Sequence, residues 1–373
     1  MSIQRNLRVV SGVAGVLVLF LSPAFLLADT YVQTNLVSDI PGLATLTDRN
    51  LVDPWGVSST ATSPFWVSDN GTNLATLYTG APTINALAVS VPGGPTGQVN
   101  NSNTSGFLLT NGNGQAANFI FATQAGTILG WNGGTTAVTQ YNNPAASYTG
   151  LAIGTSGGNT YLYAANANGT VDVLDSSFHL YLTLAGHFTD PSLPAGYVPY
   201  NIQAIGTQLY VTYVKYDSLG NEIPSGIVDV YNTNGTFASR FSSSSLLDAP
   251  WGITLAPSTF GAFGGDMLIG NFLNGEINAF NATSGAFLGT LDGSNGLPIA
   301  NPGLWALDFR TGGTGNNTNA LYFTAGINDE TDGLFGEITV TPEPPSLLLG
   351  VLGVLALTLT RLRPKILPTP QVG

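Results

Sequence analysis

A short motif returns along this chain about every 50 residues, and that period restricts the fold more than any other feature. Pro54-Trp55-Gly56-Val57, Pro199-Tyr200-Asn201-Ile202, Pro250-Trp251-Gly252-Ile253 and Leu304-Trp305-Ala306-Leu307 open four segments. Thr149-Gly150-Leu151-Ala152-Ile153 opens a fifth without the aromatic. Each opening leads into a β-rich run ending in a polar turn, as in Phe65-Trp66-Val67-Ser68-Asp69-Asn70-Gly71 or Met267-Leu268-Ile269-Gly270-Asn271. A third alternating strand follows, for example Ile227-Val228-Asp229-Val230-Tyr231, and Asn234-Gly235 and Ser284-Gly285 supply hairpin turns.

The openings fall at 55, 150, 200, 251 and 305, so the first interval has room for two units. A hairpin made of Phe119-Ile120-Phe121-Ala122-Thr123 and Thr127-Ile128-Leu129-Gly130-Trp131 marks the missing unit, between about 97 and 135. Six repeats of three or four strands predict an all-β, six-bladed β-propeller. A parallel β-helix would need shorter rungs, and a sandwich would not repeat at this period. Residues 31–37, from Tyr31 to Val37, precede the first repeat as an orphan strand, while the last repeat shows only three strands. Pairing that segment as the outer strand of the last blade would close the ring and remove an exposed edge.

The two ends read as addresses. Arg5 and Arg8, an apolar run from 9 to 21 and small residues up to Ala28 form a secretory signal-peptide pattern over 1–28, with cleavage after Ala24 as the alternative and an uncleaved anchor as the competing reading. At the other end, Pro342-Glu343-Pro344 precedes an apolar segment over 346–360 and then Arg361, Arg363 and Lys365. The order of these parts resembles the PEP-CTERM sorting signal of Gram-negative bacteria. That resemblance implies a membrane-crossing tail over 342–373, held by its basic stop, and an exosortase-type enzyme as partner. A plain tail anchor is the competing reading. Either way the propeller, 29–341, is expected outside the cytoplasm, in the cell envelope or beyond it.

Between the termini the chain carries four basic residues, Arg49, Lys215, Arg240 and Arg310, against twenty acidic ones, a net charge of about −16. Such a surface lacks the basic footprint of a nucleic-acid binder. The chain has no cysteine, which excludes disulfides, thiol nucleophiles and thiolate metal sites.

The segments Thr34-Asn35-Leu36-Val37-Ser38-Asp39, Asn50-Leu51-Val52-Asp53-Pro54-Trp55-Gly56 and Gly261-Ala262-Phe263-Gly264-Gly265 together resemble an uncharacterised family of bacterial propellers, NHL-like and YVTN-like in style. Leu321-Tyr322-Phe323-Thr324-Ala325-Gly326, Asn328-Asp329-Glu330 and Gly333-Leu334-Phe335-Gly336 extend the resemblance over nearly the whole exported part. It implies the fold and export, and no catalytic residue.

Local chemistry is sparse. Gly154-Thr155-Ser156-Gly157-Gly158 matches a nucleophile-elbow pattern, but a strand follows where a helix is needed, so a hairpin turn is expected. His179 and His187, the only histidines, lack metal-ligand spacing. The turn Asn328-Asp329-Glu330-Thr331-Asp332 gathers acidic groups, which makes Asn328, Asp329, Glu330 and Asp332 candidate Ca2+ ligands, although Thr339 stands where an EF-hand needs glutamate. Otherwise no cofactor is expected.

Propeller geometry places the loops entering the innermost strands and the loops between second and third strands on one face. Trp55, Tyr200, Asn201, Trp251 and Trp305 would meet Asp69, Asn70, Asn166, Asn271 and Asp329 around one channel mouth. Aromatic plates with amide donors suit carbohydrate or another small neutral ligand. The competing reading is that tryptophans fill space between blades and Asp or Asn satisfy turns. Three function classes follow: a non-catalytic binding or scaffold module of the kind that accompanies exopolysaccharide; a Ca2+-dependent lactonase-like hydrolase with its site in the channel; and a surface adhesin.

Overall fold

The computed structural model describes residues 29–310, 312 and 317–341. The signal-peptide segment, Pro342, Glu343, Pro344, the apolar 346–360 run, Arg361 and Arg363 lie outside the described residues. Among the described residues, no helix is long and apolar enough to cross a membrane.

Six small antiparallel sheets form a ring, as the repeats predict. Blade 1 runs Pro54–Ser58, Phe65–Asp69, Leu74–Tyr78 and Val89–Ser90 from the inside outward. Blade 2 is Pro95–Asn100, Phe119–Thr123, Thr127–Trp131 and Val138–Asn142. Blade 3 has three strands, Tyr148–Ser156, Asn159–Asn166 and Thr170–Leu174. Blade 4 is Tyr197–Ile205, Gln208–Lys215, Ile227–Asn232 and Phe237–Ser242, and blade 5 is Pro250–Leu255, Met267–Asn271, Ile277–Phe280 and Phe287–Thr290.

Blade 6 starts with Leu304–Phe309, Leu321–Ala325 and Leu334–Thr341, and the N-terminal strand Thr30–Ser38 completes it, pairing antiparallel with Leu334–Thr341. The ring therefore closes as expected. A further short strand, Leu46–Thr47, pairs parallel with Thr30–Ser38 and covers the edge that closure leaves.

The inner strand of blade 2 begins at Pro95, ahead of the hairpin that marked this unit in the sequence. Its Pro95-Thr96-Gly97-Gln98 keeps the proline and glycine of the repeat but lacks the aromatic. With that strand in place, the six inner strands share one irregularity. Pro54 pairs with Asp69 and Val57 with Val67, so two inner-strand residues stand against one, a β-bulge. The register breaks at the corresponding place in blades 2 to 6, after Pro95, Tyr148, Pro199, Pro250 and Leu304.

In blades 1, 2, 3 and 5 a glycine follows the bulge (Gly56, Gly97, Gly150 and Gly252), and it has a steric reason. A Cβ on Gly97 would lie 2.2 Å from the Leu151 backbone nitrogen in blade 3, and one on Gly56 would lie 2.4 Å from the Thr96 carbonyl oxygen in blade 2. These positions bring neighbouring inner strands into backbone contact and pinch the channel. Side chains then stitch the blades together: Thr96 Oγ1 donates to Tyr148 O (2.9 Å), Asn201 Nδ2 to Trp251 O (2.9 Å) and Thr324 Oγ1 to Trp55 O (2.6 Å). Apolar clusters fill the wedge between each pair of adjacent blades, including the closing pair, where Leu36, Val37, Tyr322 and Phe335 of blade 6 meet Phe65, Val67 and Tyr78 of blade 1.

Candidate functional site

The residues expected around a channel mouth do converge, but as a plug. Trp55, Trp251 and Trp305 occupy the bulge position of blades 1, 5 and 6, and Tyr200 that of blade 4. Blades 2 and 3 place Thr96 and Thr149 there, leaving room for the four rings to fold over the axis. Trp55 and Trp305 stack with centroids 3.6 Å apart, and Trp251 meets Trp305 edge-on at 5.8 Å. Tyr200 and Phe272 close the sides of Trp305 at 5.8 and 4.4 Å. Exposure is 4 % for Trp55 and Trp251 and 0 % for Trp305 and Tyr200, so none of these rings offers a face to a ligand.

The polar handles of the plug are satisfied internally. Trp55 and Trp305 donate to the two carboxylate oxygens of Asp53 at 2.9 and 3.0 Å, and Trp251 donates to Thr149 O at 3.0 Å. Burial pushes the Asp53 carboxyl up to about 6, against the two indole hydrogen bonds that favour its ionised form.

The predicted Asp and Asn set is likewise spent on the ring itself. Asp69, Asn166 and Asn271 pair with the first residue of the bulged segment in blades 1, 3 and 5. Asn166 Oδ1 accepts from the backbone of Ser147 and Asn168, and Asn271 binds both Asp248 N and Leu246 O. Asn201 ties blade 4 to blade 5, and Asn70 Nδ2 reaches Pro95 O in blade 2 at 3.4 Å. The Asp69 carboxylate is fully buried, and that burial, opposed by the neighbouring Thr76, holds its pKa well above the usual carboxylate range.

The acidic turn is tight. Asn328, Asp329 and Glu330 are three consecutive residues in the left-handed region, with φ of 55°, 55° and 63°. The Asp332 carboxylate accepts from Asn328 Nδ2 (2.9 Å) and Thr331 Oγ1 (3.2 Å). Glu330 lies beside the aromatic plug, where desolvation first, then Asp53, Glu222 and Asp329, push it up to about 8. Among the described residues no group of three or more His, Cys, Asp or Glu side chains is arranged to hold a metal ion.

At the other end the channel is open, and this is what the sequence reading missed. A chamber of about 310 Å3 is lined by the inner strands of five blades, all but blade 5, and by the 59–61 turn, and presents Ser58, Gln98, Asn100, Gln203, Asp308 and Arg310. It narrows to a waist of about 30 Å3 beside Gly56, Gly97, Gly252 and Asn201 and ends on Trp251. The channel is thus a blind well, open and polar at one end and sealed by indoles at the other.

One sequence signal pointed to it. The fourth position of the repeat is aliphatic in Val57, Leu151, Ile202, Ile253 and Leu307, but it is Gln98 in blade 2. Gln98 Nε2 donates to Gly56 O (2.7 Å) and Trp66 O (2.6 Å), which turns Oε1 away from those carbonyls. Asp308 is pushed up to about 7 by its enclosure, an effect opposed by the neighbouring Arg310 charge.

No protein-family model matches this chain. Two uncharacterized proteins of Acanthamoeba polyphaga mimivirus are each 29% identical to it. One aligns over 340 residues, 83% of this chain and 80% of the relative; the other aligns over 337 residues, 83% and 86%. Among solved structures, a streptogramin B lyase superposes with a TM-score of 0.50 at 12% identity, covering 84% of this chain and 98% of that one. Virginiamycin B lyase from Staphylococcus aureus gives 0.43 at 12% identity, over 84% and 100%. At such identity the streptogramin B lyase shows the propeller fold that the six sheets define, and function must be argued from the site.

Proposed function

We propose that this protein is an exported, non-catalytic binding propeller of the cell envelope or extracellular space, taking a small polar ligand into the open end of its channel. The blind well carries this reading: a concave chamber with convergent polar groups, closed behind by a rigid plug, is what a binding site requires. Its volume stands at the lower end of the usual range for small-molecule pockets.

The signal-peptide pattern and the Pro342-Glu343-Pro344 tail support export and sorting by an exosortase-type enzyme, with the membrane engaged through 346–360 before processing. The last strand of the ring ends at Thr341, immediately before that motif, so all the strands of the ring precede the tail. Truncation after Thr341 is expected to change the protein's location in cell fractionation and to leave its thermal midpoint unchanged. A tagged full-length chain found entirely in the cytoplasm would sink the export reading.

The lactonase-like alternative has less support. In the well a single carboxylate, Asp308, stands next to the Arg310 cation, an arrangement that opposes a divalent cation at that point. For carbohydrate, a groove between blades 1 and 2 is better suited than the plug. It is lined by Trp66, Phe119 and the half-buried Trp131 with Asn85, Asn100 and Asn118, and no charged side chain enters its wall. Trp131 packs against Trp66 in a tilted contact at 4.6 Å, which holds the ring in the groove wall.

The binding reading is tested with the full-length chain in detergent, screened for thermal stabilisation by small sugars, polyols and carboxylates. The same screen is run on Gln203→Phe, which fills the chamber from an exposed position. At least one compound is expected to stabilise the native protein and not the variant.

A further inference from the structure

We infer that the open end of the channel is a site for a hydroxy-carboxylate monoanion, a small hydroxy acid or sugar acid, with its carboxylate on Arg310 and its hydroxyl groups toward Gln98 and Asp308. This rests on the reading of the channel as a binding site and names the ligand's chemistry.

The argument starts from atoms left without partners. Arg310 is only 3 % exposed. Its Nη2 donates to the carbonyl oxygens of Thr60 and Ser63, and its guanidinium carbon lies 4.8 Å from the centre of the Phe65 ring. Nε and Nη1 are buried with no hydrogen-bond partner. The ion pairs among the described residues join Arg240 to Asp190 and Asp229, and His179 to Asp175, so Arg310 has no carboxylate at contact distance. A buried guanidinium that keeps free N–H groups and has no carboxylate in contact with them is costly, and an anion placed there completes it.

Two further orphans belong to the same wall. Gln98 Oε1 and Ser58 Oγ are buried and unpartnered, and both residues line the chamber with Arg310. Gln98 Oε1 can only accept, so it asks for a donor such as a hydroxyl. Asp308, also in the wall, adds a second acceptor and sets the charge limit. A monoanion gains from Arg310 more than it loses to Asp308, whereas a doubly charged phosphate would meet Asp308 and a strongly acidic protein at once. Carboxylate for the guanidinium and hydroxyls for the acceptors together define the ligand class.

Calorimetric titration of the full-length chain in detergent tests this, with sodium gluconate as the probe, sorbitol as its neutral counterpart and sodium chloride as the ionic control. Gluconate is expected to give saturable heat, with sorbitol weaker by about tenfold or more. Arg310→Gln should weaken gluconate by roughly 10- to 100-fold, the worth of hydrogen bonds to a charged group. Asp308→Asn should act in the opposite direction and tighten gluconate about threefold, because a like charge is removed. That second variant guards against a simple loosening of the blade 1 turn in Arg310→Gln, since a structural defect does not improve binding. Gln203→Phe should abolish binding. If sorbitol binds as tightly as gluconate and Gln203→Phe blocks both, the carboxylate assignment is wrong and the channel site stands. If neither binds, or if Gln203→Phe leaves gluconate untouched, both fall. Weaker gluconate binding in Asp308→Asn would also overturn the assignment.

Discussion

The two ends of the channel are built from the same six strands, within a few residues of one another, and they have opposite character. At the bulge, four aromatic rings pack over the axis with every indole N–H bonded, and exposure falls to a few per cent. A few residues further along the same strands, Gln98, Gln203, Asp308 and Arg310 surround an open chamber that leaves polar atoms without partners. The end where the repeat obeys its own pattern is architecture. The end where individual blades depart from it is where Ser58, Gln98 and Arg310 together turn unpartnered polar atoms toward an open chamber.

The contrast is broken most forcefully by removing part of the plug. Trp305→Ala deletes the most enclosed ring, stacked on Trp55 and bonded to Asp53, and is expected to cost about 3–5 kcal/mol in urea unfolding. Trp251→Ala should also destabilise, though less, because Trp251 meets its neighbours edge-on. If Trp305→Ala unfolds at the native urea midpoint and instead loses ligand binding, the assignment of structural and binding roles to the two ends must be reversed.

The sequence disclosed the ring and hid the well for the same reason. A propeller repeats its packing, so Trp55, Trp251 and Trp305 stand at equivalent positions and announce themselves. The strand at Pro95 escaped because Thr96 replaces the aromatic and an excursion of 18 residues separates it from Phe119. The closing strand at Tyr31 was legible because an orphan strand at one end matched a missing partner at the other. Asp69, Asn166 and Asn271 were legible as a convergent set, but the hydrogen bonds of Asn166 and Asn271 to neighbouring loops and the burial of Asp69 could not be read from a linear string. The well is assembled from single residues of separate blades, Gln98 from blade 2, Gln203 from blade 4, and Asp308 and Arg310 from blade 6. No local motif joins them, and Gln98 in an aliphatic column was the one trace available.

A pH titration sharpens the comparison at the plug. The Asp53 carboxyl sits near 6 when folded and near 3.8 when free, so the folded state holds its proton over the interval between those values. Stability from this group therefore falls as pH rises from about 4 to 6, and lowering pH from 7 to 5 should add on the order of 1 kcal/mol. Asp308, at about 7, and Glu330, at about 8, act in the same direction, with Glu330 muted by its exposure to solvent. Asp53→Asn should reduce the slope of midpoint against pH between 5 and 7. An unchanged slope would mean that the plug's carboxylate titrates like a free one and that its burial is overstated.

The smallest expected effect is at the open end. Gln203 is exposed in the chamber, and no hydrogen bond anchors its side chain among the described contacts. Gln203→Ala should change the unfolding free energy measured in urea by no more than about 0.5 kcal/mol, the usual range for a surface substitution away from caps and cores. The ring's stability is supplied by the wedges between blades and by the plug, and Gln203 belongs to neither. A loss comparable to that of Trp305→Ala would show that the open end carries part of the ring's packing. The free polar atoms there would then need a structural explanation before a ligand is invoked.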